Sequence, residues 1–94
     1  MVKIEWSELA KDDLKEIYTY ISQDASQYAD YFLERIYEYI ENLELFPRMG
    51  RLVPESDDPG DRELIFQNYR IVYHFSEERV EIITIIHGSR LLKL

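Results

Sequence analysis

The sequence predicts an α+β domain of order β-α-α-β-β-β: an N-terminal strand, then an antiparallel two-helix hairpin packed on a small antiparallel sheet. Three observations carry this. Apolar residues recur at helical spacing in two blocks, residues 10–21 and 29–43. All three prolines and two of the three glycines fall within residues 47–61, PRMGRLVPESDDPGD, which marks a loop. The rest divides into three short runs rich in Ile, Val, Tyr and Phe, RELIF, YRIVYHF and VEIITIIH, separated by QN and SEER. That is the pattern of an antiparallel meander.

The elements follow in order. VKIEW, residues 2–6, alternates apolar and polar and reads as a short strand. Ser7 then offers a helix N-cap, with Glu8 in the first turn where the helix dipole favours a carboxylate. Ala10, Leu14, Ile17 and Ile21 form the inner stripe of the first helix. SQDASQ interrupts it, and either Asp24 or Ser26 can cap the second helix. There Ala29, Leu33, Ile36, Ile40 and Leu43 repeat the spacing until Pro47, which forces the preceding residue out of helical geometry. With tight hairpins, one face of the meander carries Leu64, Phe66, Tyr69, Ile71, Tyr73, Phe75, Val80, Ile82 and Ile86 and should receive the helices. The other is mixed, with Glu63, Ile65, Arg70, Val72, His74, Glu81, Ile83, Ile85 and His87. A turn at Ser76 to Arg79 then sets Arg70 opposite Ile85 and diagonal to His87.

Ninety-four residues leave room for one domain, 1–94, with one core. At 46% hydrophobic residues it has the make-up of a folded chain. Without cysteine there is neither a disulfide framework nor a thiolate metal site, and two histidines argue against zinc. No signal peptide or membrane span is expected, so a cytoplasmic protein is. The net charge of −8 sits mainly in residues 1–46, with four Lys/Arg against eleven Asp/Glu. That is a poor match for a protein whose work is gripping nucleic acid. No phosphate loop, dinucleotide fingerprint, His-Glu-x-x-His helix or EF-hand loop occurs, and no cofactor is expected.

What remains is cationic: Arg51, Arg62, Arg70, His87 and Arg90. Guanidinium forks bind phosphate or carboxylate, and a histidine can carry a proton near neutral pH, so the set suits an anionic partner. The plainer reading is that these arginines pair with the many acids and that His87 ends a strand. Gly50 and Gly88 suit either turns of positive φ or a close backbone approach. Tyr28, Tyr31, Tyr37 and Tyr39 crowd the second helix beyond what its inner stripe can bury, which suits a protein-binding face or rings lying flat on a small core.

Taken in order, the short strand, the helical hairpin, FPRMGRLVPE, REL, YRIVY and IIHGSRLL resemble the ParE/RelE superfamily of type II toxin–antitoxin toxins over nearly the whole chain. The resemblance implies a helical hairpin on an antiparallel sheet and a cognate antitoxin whose C-terminal segment wraps the toxin. The Gly-Arg of the loop, the REL strand and the His-Gly-x-Arg ending are more similar to the ParE branch. Its members inhibit DNA gyrase without covalent chemistry of their own, so Arg51, Arg62, Arg70, His87 and Arg90 become target-binding candidates. The alternative is a RelE-like endonuclease acting on messenger RNA at the ribosome, with Arg70, His87 and Arg90 as catalytic candidates. Arg70 and Arg90 match two arginines of that branch, but DRELIFQ lacks its lysines and no tyrosine follows Tyr73. A non-toxic member retained as a binding module is the third reading. Whether the chain is an enzyme depends on the branch.

Overall fold

The computed structural model describes residues 1–92. The chain runs β1 (Lys3–Trp6), α1 (Glu8–Ser22), α2 (Ser26–Glu41), a 3₁₀ turn (Asn42–Glu44), β2 (Arg51–Leu52), β3 (Asp61–Phe66), β4 (Tyr69–Ser76) and β5 (Arg79–His87). The strands form one sheet in the order β1-β5-β4-β3-β2. The expected α+β order is present, with two differences in the sheet. β1 lies parallel to β5, with Ile4 beside Val80 and Trp6 beside Ile82, so the sheet is mixed. A parallel neighbour needs a long crossover, and the helical hairpin and meander between these strands supply it. The 47–61 loop also contains β2, which sets Arg51 opposite Glu63 and Leu52 opposite Arg62. Two residues are too few for alternation to reveal a strand. None of the described helices is long and apolar enough to cross a membrane.

Ser7 caps α1 as its sequence predicts: its hydroxyl accepts from the Ala10 amide at 3.0 Å and donates to the Ile83 carbonyl at 2.7 Å. Neither Asp24 nor Ser26 caps α2. Ala25 holds that position at φ −154° without a side-chain bond. The linker is closed instead by the Asp24 and Ala25 amides, which donate to the Ile21 carbonyl at 3.2 and 3.1 Å. After α2, the Leu45 and Phe46 amides both return to the Asn42 carbonyl, at 3.2 and 2.9 Å, and Pro47 prevents continuation.

The core lies between the hairpin and one face of the sheet. Ala10 and Leu14 of α1 and Ala29, Phe32, Ile36, Ile40 and Leu43 of α2 and its 3₁₀ extension are buried on Leu64, Ile71, Tyr73, Val80, Ile82 and Ile85. Each fully buried large aliphatic side chain contributes about 1.5–3 kcal/mol over an exposed one. Phe32, not Leu33, is the deepest residue of its turn, edge-on to Phe66 at 5.4 Å and Tyr69 at 5.7 Å between ring centres. Of the four tyrosines on α2, Tyr39 packs on the core beside Phe66, whereas Tyr28, Tyr31 and Tyr37 are exposed, Tyr37 against Trp6.

The largest departure concerns β5. Tyr73 pairs with Ile82 but Val72 pairs with Thr84, so Ile83 is an extra residue in a β-bulge. Beyond it the phase reverses. Ile85, expected on the mixed face, is buried opposite Ile71; Ile86, expected in the core, lies opposite Arg70 and is half-exposed. His87 is opposite Tyr69, on the helix side of the sheet, rather than diagonal to Arg70 on the outer side. The bulge falls where β1 ends. There the edge of β5 is closed first by the Ser7 amide on the Ile82 carbonyl (2.9 Å), then by the Ser7 hydroxyl on Ile83, then by Asp13. Asp13 accepts from the Thr84 hydroxyl and, at 3.1 Å, from the Ile85 amide. The turn to β5 is tight, as expected, with Glu77 and Glu78 at φ 51° and 62°.

Candidate functional site

On the outer face, β3 places Glu63 opposite Arg51 of β2, and the β3–β4 hairpin places Arg70 opposite Ile65 and therefore diagonal to Glu63. Glu63 has a side chain 0% exposed and Arg70 one 6% exposed. A buried charge must be paired and fully hydrogen-bonded, and both are. Arg70 Nε donates to Glu63 Oε1 at 2.8 Å, and Nη2 lies 2.6 Å from the same oxygen. The rest of the fork meets Glu55 of the loop: Nη1 to Oε2 at 2.8 Å and Nη2 to Oε1 at 2.7 Å. Nη1 also donates to the Arg90 carbonyl at 2.9 Å. Four of the five N–H groups of this guanidinium donate in these bonds, and Nη2 also stands in ion-pair contact with Glu63.

The network continues on both sides. Glu63 Oε2 accepts from Arg51 Nε at 2.6 Å, while Arg51 keeps a side chain 60% exposed. Glu55 Oε2 accepts from the Leu92 amide at 2.8 Å. Hydrogen bonds from Arg70, helped by that amide, hold the Glu55 carboxyl down at about 2. Its carboxylate partners push the Arg70 guanidinium still further above its ordinary range, Glu55 first. Two carboxylates and two guanidiniums thus neutralise one another and tie three segments of chain to the sheet.

The loop that delivers Arg51 is fixed by Tyr73, whose hydroxyl donates to the Pro47 carbonyl at 2.7 Å and accepts from the Gly50 amide at 3.0 Å. Gly50 is a close-approach glycine: a Cβ there would stand 2.7 Å from both the Tyr73 hydroxyl and the Glu63 carbonyl. No described glycine has positive φ, so the turn reading of Gly50 and Gly88 does not hold.

The five cationic candidates separate. Arg51, Arg70 and His87 border one shallow cleft of about 350 Å³, with Ile65, Asn68 and Ser89, although the His87 ring itself packs on Tyr69 at the helix side. Arg90 is exposed on the adjoining tail turn, where its amide donates to the His87 carbonyl at 3.0 Å. Arg62 points elsewhere: it lies opposite Tyr73 and donates to the Arg48 and Gly50 carbonyls at 3.3 and 2.9 Å. His87 Nδ1 accepts from the Ser89 amide at 3.2 Å and lies 2.7 Å from the Ser89 hydroxyl, which puts the proton of the neutral ring on Nε2. Its ring stands edge-on to Tyr69 at 6.0 Å.

Sequence reasoning missed two residues, Glu55 and Glu63. Glu63 was legible as the diagonal partner of Arg70 across a two-residue turn. Glu55 was not, since no periodicity fixes the path of the loop after Pro54. One further cluster, Asp58, Asp61 and His74, brings three possible metal ligands within 4.8 Å of one another. They already serve one another: His74 Nδ1 is 2.7 Å from Asp61 Oδ1, and the Ser56 hydroxyl donates to Asp61 Oδ2 at 2.6 Å. Burial raises the Asp61 carboxyl, but these two bonds outweigh it and leave the group lowered.

Comparison with known proteins agrees with this architecture. The family model described as ParE toxin of type II toxin–antitoxin system, parDE, matches residues 4–92. A solved structure, the chromosomal ParDE toxin–antitoxin system from P. aeruginosa, superposes with a TM-score of 0.77 at 22% identity, covering 93% of this chain and 96% of that one. No curated protein matches. With the family model spanning all but the ends, the chain belongs to the ParE toxin family of type II toxin–antitoxin systems.

Proposed function

We propose that this toxin acts by binding rather than by cutting: in the cytoplasm it inhibits DNA gyrase through the surface formed by Arg51, His87 and Arg90, and its cognate antitoxin neutralises it. The observation that carries this reading is the spent fork of Arg70. A nuclease that stabilises a phosphoryl transition state needs guanidinium donors aimed at the developing charge. Four of the five N–H donors of Arg70 are taken by Glu55, Glu63 and the Arg90 carbonyl, and its Nη2 is also paired with the Glu63 carboxylate. Among the described residues, no lysine lines the cleft beside it. Exposed Arg51, His87 and Arg90 suit recognition of a partner surface, where an acidic domain suffers no general penalty.

Antitoxin binding by strand addition is supported at the β2 edge. β2 covers only Arg62 and Glu63, so among the described residues Leu64, Ile65 and Phe66 have no strand on that side. Ile65 and Leu52 there are 46% and 55% exposed.

The experiment is to assay the purified chain against gyrase supercoiling and against messenger RNA on translating ribosomes. Inhibited supercoiling with accumulated DNA breaks and intact message is expected. Ribosome-dependent cleavage with supercoiling untouched would replace the gyrase reading by the endonuclease one.

A further inference from the structure

The segment after β5 has little to hold it by packing. Leu91 is 83% exposed, and residues 87–90 are all exposed. Its path is set by polar bonds: the Gly88 amide on the Asn68 carbonyl at 2.6 Å, the Arg90 carbonyl on Arg70 at 2.9 Å, and the Leu92 amide on Glu55 at 2.8 Å. Glu55 stands at the junction. Both its oxygens sit in the Arg70 fork while one of them also takes the Leu92 amide. A segment with so little packing frays without such anchors, and a binding loop that frays loses affinity because it must be ordered on binding.

We propose that Glu55 is a positioning residue for toxin action: gripped by Arg70, it fixes the Leu92 amide and so holds the 88–92 turn in the orientation that presents the Arg90 side chain to the target. This rests on the reading above that the Arg90 turn meets the target. The carboxylate is specific to the task. A glutamine would turn an NH₂ donor toward a guanidinium that is itself all donor, so one bond of the pair is lost along with its charge. Even with its oxygen at the Oε2 position, a glutamine holds Arg70 by one neutral bond in place of the charged pair, so the seat that carries the Leu92 amide is weakened although the side chain keeps its shape.

The test compares Glu55→Gln, Arg90→Ala and the double variant for growth arrest on expression, with antitoxin binding and circular dichroism as measures of folding. If Glu55 acts through the turn, each single variant weakens growth arrest by about tenfold or more and the double is no weaker than Arg90→Ala alone; independent effects would multiply. Losses that multiply overturn the proposal. So does full toxicity of Glu55→Gln beside an inert Arg90→Ala, which leaves the target surface standing. Full toxicity of Arg90→Ala overturns the surface itself, and the proposal with it. Should Glu55→Gln fail to fold, Leu92→Pro decides, because it removes the N–H that Glu55 accepts without changing either member of the Glu55–Arg70 pair. Loss of growth arrest with antitoxin binding retained is expected there, and unchanged growth arrest sinks the claim.

Discussion

The two faces of β4 are both buried from Arg70 to Tyr73 yet closed by different means. Toward the helices, Ile71 and Tyr73 of β4 are covered by α2 and its apolar stripe. Away from them, Arg70 of the same strand is covered by the loop and the 90–92 segment, drawn over the sheet by Glu55, Glu63 and Arg51. Dispersion and hydrophobic burial are non-directional, so the helix side tolerates exchange of one apolar residue for another of similar volume. The outer side depends on hydrogen-bond geometry, and every partner removed leaves a charge behind. Arg70→Ala is therefore expected to have the largest effect of any single change, about 3–5 kcal/mol, since it leaves buried Glu63 with Arg51 as its one charged partner and takes the guanidinium from Glu55. Arg70→Lys keeps the charge but not the fork and should fall between that variant and the parent. Urea midpoints measure both. A cost for Arg70→Ala below about 1 kcal/mol would mean that the outer network behaves like ordinary surface ion pairs and that the contrast between faces is false.

The helix side is tested by a cavity. Ile40, 2% exposed, lies under the sheet, and Ile40→Ala should cost about 2–5 kcal/mol. Its neighbour Glu41 is exposed, and Glu41→Ala should shift stability by less than about 0.5 kcal/mol. Equal midpoints for these two variants would contradict the phase of α2.

These two regions also differ in how far they could be read from the sequence. The inner stripes of both helices, the Ser7 cap and the meander were legible because burial leaves a periodic trace. The phase of β5 beyond Ile83 was not. Its bulge lies where β1 ends and is held by Ser7 and Asp13 from the other end of the chain, and no local pattern reports that contact. Phe32 and Leu33 both fit the stripe of α2, and only the aromatic partners Phe66 and Tyr69 select Phe32. On the outer face the arginines were visible but not their roles. Counting Arg51, Arg62, Arg70, His87 and Arg90 as one cationic set overlooked alternation, which sends Arg62 to the other side of β3 from Glu63. Pairing with acids is expected from composition, and Arg51 and Arg70 do pair so, but nothing local in the sequence names Glu55 and Glu63 as the partners or marks Arg70 as the most buried of the set.

The smallest expected effect is also the most selective, because the two faces should weaken at opposite ends of the pH scale. The Glu55 carboxyl, held by Arg70 at about 2 against an ordinary value of 4.5, gives a stabilisation that is fully present above pH 4.5 and is lost as pH falls from there through about 2. Asp61, also lowered, acts in the same direction. Tyr73, on the core side, is raised above its ordinary 10.0 by burial, against the opposing Gly50 amide. The unfolded chain therefore ionises this phenol first, and the stabilisation present below pH 10.0 is lost as pH rises through the folded value. Other groups titrate in both limbs, and a net charge of −8 relaxes on acidification, so absolute curves mix many effects. Differences between variants isolate each group. Relative to the parent, Glu55→Gln should lose less stability between pH 4.5 and pH 2 and match it in alkali; Tyr73→Phe should lose less above pH 10 and match it in acid. Urea midpoints of the three proteins across the pH range measure this. If Glu55→Gln follows the parent through the acid limb, the carboxylate is not what ties the 90–92 segment to the sheet, and the outer face is held by Arg70, Glu63 and Arg51 without it.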